Sequence, residues 1–293
     1  MNAKISISNR AGASFPVRRM NFNFQNVPEY WANNSPGITH FLTALSALFP
    51  AGERYFIDSV RAVRDYPEIK DNQSLQKEIR AFIGQEAMHT HEHIAFNASA
   101  QSYGHDVASL ERYTDNIIQF VRKLAGKAAK PFGGKQEMID LMVTTALEHF
   151  TATIAAQLLE NEHIQAIMTD ETMSTMWFWH AIEENEHKAV AYDVFEAIFG
   201  QGNKAYLART STLVFSMVTL FVVQNTFLTY LLVKDKQLNA QALKDVYIYA
   251  YSPSKGIITG MYKEMLAYFK PNFHPNQLDS TALLDQWKLK LGL

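Results

Sequence analysis

Phe178-Trp179-His180-Ala181-Ile182-Glu183-Glu184-Asn185-Glu186-His187 is the stretch from which the fold is read. Wound as a helix, it sets His180, Glu184 and His187 on one face, because residues three and four apart are neighbours there. Two imidazoles and a carboxylate on one face offer a metal several ligands at once. Glu-x-x-His is short, however, and also occurs on ordinary solvated helices. A second copy changes the reading: Gly84-Gln85-Glu86-Ala87-Met88-His89 pairs Glu86 with His89. Each copy follows a helical segment with a Glu among apolar neighbours. Glu53 stands 33 residues before Glu86, and Glu148 stands 36 before Glu184. One Glu from each of two helices and a Glu-x-x-His from each of two others is the dinuclear carboxylate pattern of a four-helix bundle.

Composition leaves room for such a bundle and removes alternatives. A chain of 293 residues, 47% of them hydrophobic, can bury a sizeable core. A net charge of −2 argues against a general nucleic-acid surface. The absence of cysteine excludes disulfides, thiolate zinc sites, iron–sulfur clusters and a Cys nucleophile. It agrees with a cytoplasmic location. Residues 1–19 carry scattered Lys and Arg without an apolar core, unlike a signal peptide.

Taken in order, residues 1–37 read as an irregular arm punctuated by Pro16, Pro28 and Pro36 and lying over the body. Residues 38–200 read as the metal-binding bundle. The Glu53 helix resumes near Ala51 with Pro50 at its edge. The next helix is capped by Asp71 or Asn72 and runs to about Tyr103. Gly84 inside it suggests a close helix contact beside the metals. Gly126 to Gly134 reads as a linker crossing between helix pairs. The third ligand helix spans about 135–160 and the fourth about 171–199, closed by Gly200.

Residues 201–293 read as an added helical layer. Its main element is the apolar stretch 205–233, charge-free from Thr210 to Val233 and long enough to cross a bilayer. Gln224 and Asn225 near its middle favour a buried or membrane-surface helix over a true span.

Glu86 and Glu184 are expected to bridge two ions. Glu53 and His89 would serve one ion, Glu148 and His187 the other, with His180 adding a nitrogen to that second ion. Gln85 and Glu183, each next to a motif carboxylate, are placed to orient ligand imidazoles. His93 is expected behind the ligands or in an adjoining pocket, and His149, about 100° around the helix from Glu148, in a structural role or behind the ligands. Hard oxygen donors with imidazole suit iron first, with manganese or zinc as alternatives.

Four stretches carry a family resemblance. They are Leu45-Ser46-Ala47-Leu48-Phe49-Pro50-Ala51-Gly52-Glu53, Phe82-Ile83-Gly84-Gln85-Glu86-Ala87-Met88-His89, Glu148-His149-Phe150-Thr151-Ala152, and Trp179 to Lys188. Over about residues 15–270 the sequence resembles the predicted metal-dependent hydrolases of the ferritin-like superfamily. In the ligands alone, with the extra His180, it is similar to di-iron p-aminobenzoate N-oxygenases. The resemblance implies an all-α, ferritin-like bundle around two metals.

Two enzyme readings and one that is not follow. The first is a di-iron oxidase or oxygenase, using O₂ and an electron donor on a small or hydrophobic substrate. The alternative is a hydrolase using a metal-activated water, since no Gly-x-Ser-x-Gly motif is present. The third is an iron-binding or storage protein. Expected partners are a small-molecule substrate, a membrane surface and a second copy of the chain; nucleic acid is not among them.

Overall fold

The four motif segments lie on four long helices of the computed structural model, which describes residues 6–8, 14–253 and 255–293. Glu53 lies on α2 (Phe49–Val63) and Glu86 and His89 on α3 (Gln73–Ser102). Glu148 lies on α5 (Gln136–Glu160), and Glu184 and His187 on α7 (Glu171–His187). Contacts run α2 to α3, α3 to α7, α7 to α5 and α5 to α2, which closes a four-helix ring. Among the described residues the fold is all-α apart from one small β ladder.

Local chemistry sets the helix ends. Pro50 occupies the first turn of α2, where its missing N–H costs least. Asn72 caps α3 by accepting from the Leu75 N–H, and Asp170 caps α7 by accepting from Met173. The expected linker at Gly126 is mostly helix: α4 (Val107–Ala129) carries through it into a 3₁₀ turn, Lys130–Phe132. Gly133 then takes a left-handed φ of 72°, which favours glycine and makes the turn into α5.

The expected single helix over 171–199 is broken after His187, with α8 running Val190–Phe199. At the break, Lys188 turns away to the Leu278 carbonyl and donates to Ser280 Oγ at 2.9 Å. Those tail contacts are remote in sequence and invisible to periodicity.

The arm is more regular than expected. Ser6–Ser8 (β1) pairs antiparallel with Val17–Arg19 (β2). The arm then drapes over the bundle, burying Phe15, Met20, Phe24, Val27 and Trp31. Glu92 on α3 holds it by accepting from the N–H groups of Asn21 and Phe22 at 2.8 and 3.2 Å. Gly84 serves this arm and not a helix pair. A Cβ there would stand 2.7 Å from a Val17 methyl carbon, so glycine lets β2 lie against α3.

The C-terminal residues pack as helices around α9 (Asn203–Lys234). One face of α9 lies on α1 (Pro36–Ser46) and α5, with Leu213, Leu228 and Leu231 buried. Gln224 on that face donates to the Phe41 carbonyl at 2.8 Å. The opposite face exposes Leu207, Val214, Phe215, Val218, Phe221 and Val222. The apolar run is therefore half buried: one side belongs to the core, and a strip of large apolar side chains is left outside. Beyond it come α10 (Ala240–Val246), a π turn at Tyr247–Tyr251, α11 (Ile257–Gly260), α12 (Tyr262–Ala267) and α13 (Thr281–Leu291). The short α6 (Glu162–Ile167) joins α5 to α7.

Candidate metal centre

Glu53, Glu86, Glu148 and Glu184 all point into the bundle, at 1%, 0%, 1% and 4% exposure. His89, His180 and His187 converge on them. His187 Nε2 lies 3.1 Å from Glu86, 3.4 Å from Glu148 and 3.6 Å from Glu184. His89 Nδ1 lies 3.4 Å from Glu184 and 3.8 Å from Glu86. Glu86 and Glu184 thus stand between two halves, one holding Glu53 and His89, the other Glu148 and His187.

His180 departs from expectation. Its Nε2 lies 2.9 Å from Glu184 and 3.9 Å from Glu53, and its ring centre is 4.1 Å from that of His89. It therefore stands on the Glu53 side and not the Glu148 side. One turn before Glu184 on α7, it meets Glu53 of α2 and His89 and His93 of α3. Sequence spacing gives the face of α7 but not its neighbour at each level.

The donor atoms fit metal ions. Both carboxylate oxygens of Glu53, Glu86 and Glu148, with Glu184 Oε2, His89 Nδ1 and His187 Nε2, are buried without a hydrogen-bond partner. Isolated buried charge is expensive and calls for a compensating cation. The electrostatics agree. Burial pushes the carboxyls of Glu53, Glu86 and Glu148 above their ordinary range. For Glu184 burial works the same way, but the imidazoles of His187, His180 and His89 prevail and hold it well below. His89 is driven up to about 10 against its burial, by Glu183 and Glu184. Bound metal ions would supply the positive charge that such a cluster calls for.

Each imidazole has its outer nitrogen tied. His89 Nε2 meets Glu183 Oε2 at 3.1 Å, and His187 Nδ1 meets Gln85 Oε1 at 2.9 Å. The two motifs are therefore cross-braced: Gln85, beside the first Glu, orients the histidine of the second motif, and Glu183 does the reverse. His180 Nδ1 meets His93 Nε2 at 2.8 Å, and His93 is braced in turn by Ser46 Oγ at 2.8 Å. Such outer partners fix which ring nitrogen faces a metal. His149 does not belong among them. It stacks on Tyr268, its Nε2 lies 3.1 Å from the Glu264 carbonyl, and burial lowers its pKa to about 4. One residue past Glu148 is about 100° around the helix, which turns it into the C-terminal layer.

Sequence reasoning missed Arg18 and Glu186. Arg18 is 2% exposed and donates to Glu183 at 3.0 Å and to Glu186 at 2.7 and 2.9 Å. Glu186 also receives Gln85 Nε2 at 2.9 Å and pairs with Lys288 at 2.8 Å. Only the spacing of Glu183 and Glu186, three apart on one face of α7, hinted at this cluster.

Gln85→Leu should therefore weaken metal binding without removing a ligand. Loss of an outer partner typically costs ~10–100-fold in metal affinity. Chelator competition should show one of two ions released more readily in that variant; equal retention of both ions would refute the bracing role.

An apolar chamber of about 40 Å³ adjoins the centre, with His180 and Glu184 in its wall beside Phe41, Phe49, Trp177 and Tyr249. Tyr249 sits in the π turn, fully buried, with its hydroxyl unpartnered. A wider groove of about 370 Å³ lies outside, along the exposed face of α9. Phe41, Leu45 and Ile154 line both spaces.

This combination of bundle and buried donors defines a helical-bundle metalloprotein. The chain belongs to the family described as predicted metal-dependent hydrolase, whose model matches residues 16–279. Comparison with curated proteins and with solved structures found no match.

Proposed function

We propose that the protein is a dinuclear metal-dependent hydrolase acting on a substrate with an apolar portion. The observation that carries this is the chamber: Glu184, whose Oε2 is unpartnered, and His180 form one end of a space otherwise walled mainly by aromatic and aliphatic side chains. Membership of the family supports hydrolysis over other metal chemistry. Two ions held by the four Glu and three His would supply an activated water and polarise the scissile group.

The chain's own residues do the rest. Glu183, Gln85 and His93 hold the imidazoles in register. Phe41, Phe49 and Trp177 exclude bulk water and sharpen every electrostatic contact inside. Burial pushes the Tyr249 phenol up, so it keeps its proton and offers an O–H to a substrate oxygen. The outer groove would take the apolar portion, and the strip on α9 would let the protein rest on a membrane surface.

The test is a series of p-nitrophenyl esters and phosphate esters with lengthening acyl or alkyl chains, run on metal-loaded protein without O₂. Turnover should rise with chain length and vanish in Glu184→Ala. No turnover anywhere in the series would overturn the hydrolase reading.

The donor set also favours a second reading. Four carboxylates with imidazoles stabilise oxidised iron, as an O₂-using oxidase of the same apolar substrate class would need. Iron-loaded, reduced protein that changes its absorption in air and consumes O₂ with substrate would select it.

A further inference from the structure

A second group of ligating side chains lies away from the bundle centre, where four separate segments meet. His40 comes from α1, His105 from the turn between α3 and α4, Asp235 from the end of α9, and Glu29 from the arm. His40 Nε2 lies 2.8 Å from Asp235 Oδ2, and His105 Nε2 lies 3.2 Å from Glu29 Oε1. The two rings sit edge to face, 4.6 Å between centres. One ligating atom from each of His40, His105 and Asp235 lies within 4.8 Å of the others. His40 is 0% exposed and His105 6%, yet His40 Nδ1 and His105 Nε2 have no hydrogen-bond partner.

We propose that His40, His105 and Asp235, with Glu29, form a mononuclear site for a zinc-like divalent ion, separate from the bundle centre. Two imidazoles with one or two carboxylates are a donor set that zinc takes in four-coordinate sites. A bound ion would satisfy His105 Nε2, which now faces Glu29 without hydrogen-bond geometry. Tyr30 completes the pattern from outside: its hydroxyl donates to Asp235 Oδ2 at 2.9 Å, as outer partners of ligating carboxylates do. The ion would tie the end of α9 and the arm to α1. That role is independent of what the bundle centre catalyses.

The bland alternative is a hydrogen-bonded knot, Tyr30 to Asp235 to His40, with His105 paired to Glu29. Elemental analysis separates the two. Chelated protein is reloaded with zinc alone and dialysed. The wild-type chain should hold one ion more than His105→Asn, a variant that keeps a hydrogen-bonding side chain and leaves the bundle ligands in place. A chain carrying both Glu86→Ala and Glu184→Ala should still hold one ion per chain. Cobalt(II) in that chain should give the visible absorption of a four-coordinate site, lost on adding His40→Ala. Equal metal content in wild type and His105→Asn would overturn the proposal, whatever the bundle centre proves to do.

Discussion

Glu86→Ala and Glu184→Ala, made singly, are each expected to empty both halves of the bundle centre. Either carboxylate stands among donors of both halves. Glu86 is near His89 on one side and His187 on the other, while Glu184 reaches His89, His180 and His187. Loss of an outer partner already costs ~10–100-fold in metal affinity, so loss of a shared ligand should exceed that for both ions. Glu148→Ala, whose contact is with His187, should mainly weaken one.

A folding defect can be told apart from a metal defect. Buried, unpartnered carboxylates cost stability in the metal-free protein. Metal-free Glu86→Ala should therefore melt no lower than metal-free wild type, while the metal-loaded wild type melts well above both, because ions that bind only the folded state stabilise it. Two ions retained at full occupancy in either variant would remove Glu86 and Glu184 from the shared positions.

The legibility of this site in the sequence follows the range of the interactions that build it. Ligands at helical spacing, such as His180, Glu184 and His187, are local, and local geometry is written in the order of residues. Gln85 and Glu183 could be placed for the same reason, as neighbours of motif carboxylates. Which histidine each one braces could not, because the bracing crosses from α3 to α7. His180 shows the boundary clearly: its face of α7 was readable, but its assignment to the Glu53 side depends on how α7 crosses α2 and α3. The break after His187 and the helical run through Gly126 were hidden for the same reason. Lys188 is drawn off by the tail, and tertiary packing of α4 against α2, α3 and α5 outweighs the helix cost of one glycine. Arg18 left almost no trace, since its partners stand on α7, far along the chain from a segment without periodicity.

Arg18→Ala should be among the most destabilising single changes outside the ligands. The guanidinium pairs with Glu183 through one nitrogen and with both oxygens of Glu186. Its removal leaves two buried carboxylates with less positive charge, and Lys288 reaches only Glu186. Breaking a buried ion pair from one side costs about 3–5 kcal/mol. The pH dependence carries the sign. Burial would raise the Glu186 carboxyl, but Arg18 and then Lys288 hold it below its ordinary value. A carboxylate held low contributes stability that is present above its unfolded pKa and is lost as pH falls through its folded one. The deficit of Arg18→Ala should therefore be largest near neutral pH and shrink in acid, where Glu186 takes a proton in both proteins. The second consequence is at the metal. Glu183 would lose its anchor while still holding His89 Nε2, so the ion on the Glu53 side should be released more readily than the other. Urea unfolding of metal-free wild type and variant, at neutral and acid pH, measures the first effect, and chelator competition the second. A deficit below ~1 kcal/mol, in the range of an exposed ion pair, or one that does not shrink on acidification, would show that Arg18 does not secure the brace behind His89.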